Sequence, residues 1–299
     1  MTIKTIYSAL LCLAVLGFAS CSSDIENEQT QVVASGGAMR SFTLNATSGP
    51  QTRTDVNIDS PTKWTPGDRL IAYNITNPQG YDYLTATDND NHSSFKGDIH
   101  WKAGDELAVF YPYRENVRKT PLGIVPLGLK ENTIIIDGKP VTGHQNGTLA
   151  NFKYFDYMWG KLKNIREDGH SAWTDFTMPK QNCFVRIRVV DKGVKIKDIT
   201  QVTLRNIYTD ADFNLATGEF TYAPKGELTV TADEPLEVFD FLLLPDPHFN
   251  GQFEVHTASG KTYRGALPAE HKYERAKYYQ FTITVTEPDP FIPIDGVKW

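Results

Sequence analysis

The 299 residues are too many for one average domain and comfortable for two, and a composition of 12% aromatic and 22% charged residues excludes a disordered chain. Lys plus Arg is 30 against 36 Asp plus Glu, a net charge of −6 with no basic cluster, so nucleic acid is not an expected partner. Three cysteines are too few for a disulfide scaffold or a multi-cysteine metal site.

The chain opens with Lys4 and an apolar run over residues 6–18, followed by the small residues Ala19 and Ser20 and then Cys21. The run is short of the ~20 residues that a spanning helix needs and suits a secretory signal peptide, residues 1–20. Small residues directly before a cysteine resemble the lipobox of bacterial lipoproteins, in which that cysteine becomes the diacylated N-terminus. The resemblance makes Cys21 the lipidation site; the other reading is plain secretion, with Cys21 free or bridged to Cys183. Residues 21–38 are polar and small, carry Asp24, Glu26 and Glu28, and read as a flexible tether. Acyl chains at ~0.8 kcal/mol per buried CH₂ would make the anchor durable.

From residue 39 the dominant period is two. Residues 183–190 place Cys183, Val185, Ile187 and Val189 on one face and Arg186 and Arg188 on the other; residues 278–286 place Tyr279, Phe281, Ile283 and Val285 opposite polar neighbours. Similar short runs occupy 69–75, 106–113, 132–137, 201–207, 227–232, 238–245 and 251–258, separated by turn pairs such as Asn77-Pro78, Asp137-Gly138 and Ser259-Gly260. No long helix is expected. The fold class is all-β: two tandem sandwiches of Greek-key type, at 39–168 and 169–299.

One device occurs twice. Residues 64–73 and 101–110 share W-x-x-G-D-x-L-x-x-aromatic, in which Gly supplies a permissive dihedral, Asp caps the turn and the strand then enters the core. Catalytic patterns are missing: no G-x-S-x-G, H-E-x-x-H, Walker loop or G-x-G-x-x-G. The stretch Asp88-Asn89-Asp90-Asn91-His92 lacks the Gly and Glu of a calcium loop and reads as a polar hairpin tip. Tyr111, Tyr113, Phe152, Tyr154, Phe155, Tyr157 and Trp159 read as core before sugar-stacking platforms, since aromatics dominate core burial. No enzyme activity, cofactor or metal is expected.

The order of these pieces carries a resemblance. Lipobox, acidic tether, an alternating segment ending at Thr52-Arg53, the repeat at 64–73, Ala108–Tyr113, Phe155-Asp156-Tyr157-Met158-Trp159 and Lys277-Tyr278-Tyr279 resemble, in sequence, the fimbrillin-like (type V pilin) lipoproteins. The resemblance implies tandem sandwiches and a role in adhesion and assembly at the cell surface, with the lipid in the outer membrane. It also implies a mechanism. A trypsin-like protease cuts after an arginine, the first strand leaves, and an extended segment of another fimbrial subunit, or of a second copy, takes its place. Here the removable strand lies within residues 39–53, with Phe42 and Leu44 on its core face, and the cut falls at Arg53-Thr54, behind the turn formers Gly49 and Pro50. If Arg53 is a plain loop residue, the chain resembles the unprocessed anchor type instead. The donor in the family is C-terminal, which points to Phe291, Ile292, Ile294 and Val297. These either insert into a partner or pack on their own domain, and Pro293 counts against insertion by removing one ladder donor. The alternative function is a surface lipoprotein that binds glycans for a polysaccharide-uptake system.

Overall fold

The computed structural model describes residues 38–49, 63–114, 117, 121–136, 138–267 and 272–285. All belong to one compact unit, Gly36–Trp299.

Strands dominate, as the period of two requires. In chain order they are β1 (Met39–Ser48), β2 (Arg69–Asn74), β3 (Asp82–Ala86), β4 (His92–His100), β5 (Leu107–Tyr111), β6 (Ile124–Gly128), β7 (Asn132–Ile136), β8 (Lys139–Gly143), β9 (Met158–Lys161), β10 (Arg166–Glu167) and β11 (Ser171–Met178). A short 3-10 turn, Leu149–Tyr154, precedes β9. Then follow β12 (Cys183–Asp191), β13 (Val194–Lys195), β14 (Ile199–Ile207), β15 (Asp210–Asn214), β16 (Phe220–Tyr222), β17 (Gly226–Leu236), β18 (Val238–Leu243), β19 (Gln252–Thr257), β20 (Thr262–Ala266) and β21 (Tyr278–Val285).

The first sheet has eight strands in the order β10-β11-β1-β4-β3-β2-β5-β9. Its two ends meet. Met158 in β9 bridges Lys180, just past β11, and the Trp159 N–H donates to the Pro179 carbonyl at 3.0 Å. The sheet therefore curls over its own core. Phe42, Leu44, Leu84, Phe95, Val109 and Met178 lie inside, and every member of this cluster comes from the sheet or from the segments flanking its strands.

The repeated device works identically in both copies. Gly67 and Gly104 adopt φ of 94° and 90°, a region that favours glycine. The Asp68 carboxylate accepts from the Thr65 N–H at 2.9 Å, and Asp105 accepts from Lys102 at 3.3 Å. Both turns deliver a buried indole, Trp64 and Trp101, to the first core.

In the second half, β12 pairs with β13, β18 and, in parallel, β21, while β17-β14-β19-β20 form another sheet. Val185, Ile187, Phe239 and Phe241 of the former share one core with Val202, Leu204, Val230 and Val255 of the latter. The expected face of β12 is buried, and Arg186 on the other face grips Asp240 of β18 through two hydrogen bonds of 2.7 and 2.8 Å.

The halves interlock. β6, from before residue 150, pairs with β15, setting Val125 opposite Phe213. Ile71, Tyr73 and Phe110, on the outer face of the first sheet, enter the second core. β11 lies beyond the expected junction at 168/169, yet it is the parallel neighbour of β1; the chain changes sheets over residues 179–182. Among the described residues, no helix is long and apolar enough to cross a membrane.

Candidate assembly site: the seat of the first strand

β1 is an interior strand. Residues Met39–Thr47 pair antiparallel with β4, and Ser41–Ser48 pair in parallel with β11. Alternation decides what each residue touches. Phe42, Leu44, Ala46 and Ser48 point into the first core and are buried. The Phe42 ring meets Trp101 edge-on, with centroids 6.2 Å apart. At ~1.5–3 kcal/mol for each fully buried Phe or Leu side chain, Phe42 and Leu44 make β1 a substantial part of this core.

The outward face is polar and tied to both neighbours. Asn45 donates to Asp175 of β11 at 2.8 Å and accepts from Ser94 of β4 at 2.9 Å. Thr47 and His92 share a hydrogen bond of 2.8 Å. Near the start of the strand Arg40 pairs with Glu167 of β10 at 2.9 Å and lies over the Trp101 ring. The side-chain hydrogen bond from Asn45, together with Arg166, holds the Asp175 carboxyl below the usual carboxylate range. At the far end the Gly49 N–H donates to the Met178 carbonyl at 2.9 Å. A Cβ on Gly49 would stand 2.5 Å from that oxygen, so glycine is required by the close approach.

Of the residues expected at the site, Phe42 and Leu44 occupy one face of one strand, side by side in the core. Cys21, Arg53, Thr54, Phe291, Ile292, Ile294 and Val297 lie outside the described residues. Sequence reasoning missed Ala46 and Ser48, which the i, i+2 continuation would have found. It also missed the parallel neighbour β11 and the Asn45–Asp175 contact, which join residues 130 apart and leave no local signal.

Asp88 sits at the β3–β4 hairpin tip, where its carboxylate accepts from the Thr87 hydroxyl and the Ser94 N–H. No group of three or more His, Cys, Asp or Glu among the described residues is arranged to hold a metal ion. Tyr111, Tyr113, Phe155 and Tyr157 are buried, and Phe152, Tyr154 and Trp159 are half-buried against the cores.

The chain is similar in structure to a candidate cell adhesion protein from Bacteroides uniformis, with TM-score 0.56 and 18% identity over 82% of this chain and 93% of that one. It is similar to a second candidate cell adhesion protein, from Bacteroides ovatus, with TM-score 0.56 and 13% identity over 84% of this chain and 97% of that one. At these identities the likeness is one of fold. The tip fimbrial protein Mfa3 from Porphyromonas gingivalis, with C-terminal truncation, aligns at 10% identity and TM-score 0.47 over 85% of this chain and 97% of that one, too distant to carry an argument. No curated protein matches significantly. The sequence profile described as fimbrillin-like matches residues 51–295, well over half of the sequence, and the chain belongs to the fimbrillin-like family.

Proposed function

We propose that the protein is a surface lipoprotein that serves as a structural subunit or anchor of fimbriae and acts in cell adhesion. In this reading Cys21 carries the lipid and a trypsin-like protease cuts at Arg53-Thr54. β1 then leaves, and an extended segment of a neighbouring subunit takes its seat. The tail bearing Phe291, Ile292, Ile294 and Val297 is the segment this chain would offer in turn.

One observation carries the reading. β1 lies between β4 and β11 in the middle of a sheet that wraps its own core, with Phe42 and Leu44 inside. Its loss would expose two ladders and an apolar slot together, and unpaired strand edges recruit other strands. The family match begins at residue 51, after β1 and two residues before Arg53. The glycan-binding reading has less support, because the aromatic side chains that suggest it line the cores.

Limited trypsin treatment of the purified lipoprotein tests the proposal. One early cut after Arg53, followed by ladders of oligomers that survive detergent without boiling, is the expected result. An Arg53→Ala chain should stay monomeric under the same treatment. A cut chain that keeps β1 bound and remains monomeric would remove the strand-exchange reading.

A further inference from the structure

A buried cation and a buried carboxylate meet where the chain leaves the first sheet. Asp156 stands two residues before β9 and Lys180 two residues after β11. Their side chains are 3% and 4% exposed, and Lys180 Nζ donates to Asp156 Oδ2. The flanking backbone is fixed. The Gln181 N–H donates to the Tyr157 carbonyl at 2.7 Å, the Trp159 N–H donates to Pro179 at 3.0 Å, and the Asn182 amide donates to the Phe155 carbonyl. Tyr111, buried opposite Met158 in the neighbouring β5, is hydrogen-bonded to Asp68 through its hydroxyl and lies in the field of both Asp68 and Asp156.

A buried ion pair is a weak way to hold two segments, because desolvating both charges cancels much of their attraction. An amide in the same place carries no charge. We propose that Lys180 and Asp156 condense to form an intramolecular isopeptide bond.

The step balances within the pair. One proton passes from the Lys180 ammonium to the Asp156 carboxylate, leaving a neutral amine and a neutral acid. Burial favours that acid by pushing the Asp156 carboxyl up, against the pull of Lys180. The Nζ lone pair adds to Cγ, which is one covalent bond from the oxygen that Nζ already touches. The carbonyl π pair moves to oxygen and returns as the C–OH bond breaks. The departing hydroxyl takes a proton from the nitrogen and leaves as water. Nothing is oxidised or reduced and no other reagent enters. Fixed geometry supplies the activation that an enzyme otherwise would.

The bond would lock the seam at which the first sheet closes. β11 is one of the two strands that hold β1, so the link would keep that strand in place whether or not β1 ever leaves. It does not depend on strand exchange.

Mass spectrometry of the denatured full chain tests the proposal. Lys180→Arg keeps the cation and removes the nucleophilic amine. Wild type is expected to be lighter, by one water, than the substitution alone predicts from the variant, and digestion should yield a branched peptide joining Asp156 to Lys180, with no tryptic cut after Lys180. Wild type at its full unmodified mass, with Lys180 cleaved normally, overturns the proposal. The peptide readout needs only wild type and stands even where the variant misfolds.

Discussion

Phe42 and Ser41 are adjacent in sequence and opposite in consequence. The Phe42 ring is buried against Trp101; Ser41 is exposed. Phe42→Ala should lower unfolding free energy by roughly 3–5 kcal/mol and Leu44→Ala by roughly 2–5, with Ser41→Ala within about 0.5. Denaturant titration checks this contrast, and equal effects at 41 and 42 would contradict the alternation. Cys183 allows a second test. Its thiol is buried and donates to the Leu243 carbonyl, and burial pushes its pKa well above the ordinary range. Thiol reagents should leave Cys183 untouched in the native protein and label it on unfolding, as read by peptide mass. Labelling under native conditions would reveal opening between β12 and β18.

At the scale of the strand, β1 is held by ladders, core side chains and a polar outer face, and only the last responds to acid. The folded pKa of Asp175 is depressed by Asn45 and Arg166. Its stabilising contribution is therefore complete above the unfolded carboxylate value near 3.9 and is lost as pH falls through the lower folded value. The stability difference between wild type and Asn45→Ala should hold steady down to about pH 4 and shrink below it. Denaturant midpoints across that range measure it, and a difference that grows on acidification would assign the contact wrongly. How much of this was legible follows from how local each feature is. β12 and β19 alternate and, like β14 and β18, stand where the sequence places them. β6 carries Pro126 within a short run and is made a strand by β15, some 85 residues on. β11 alternates, but its partner is the parallel β1 at the other end of the half, and parallel pairing leaves no hairpin signal. Phe42 and Leu44 were readable as a buried face; the strands on either side of them were not.

Across the whole molecule, the shared core argues against two independent halves. Val125 and Leu127 from the first half, and Phe110 from the outer face of the first sheet, sit in the cluster that holds Phe213, Val202 and Phe239. Calorimetry should give one cooperative transition, with calorimetric and van't Hoff enthalpies in agreement. A chain ending at residue 178 would keep the first sheet but strip β6 of β15, and should not fold to a native state by circular dichroism. Two resolved transitions would show that the strands crossing between halves contribute little.

The seat of β1 also reads direction. One wall, β4, runs opposite to β1, and the other, β11, runs with it. The two ladders differ in the spacing and slant of their hydrogen bonds. A replacement threaded backwards would pair parallel with β4 and antiparallel with β11, and would present its core-facing side chains to the slot in reverse order. In the proposed strand exchange the slot of one subunit would meet a different surface of the next, so successive contacts would be heterologous and the array would run head to tail.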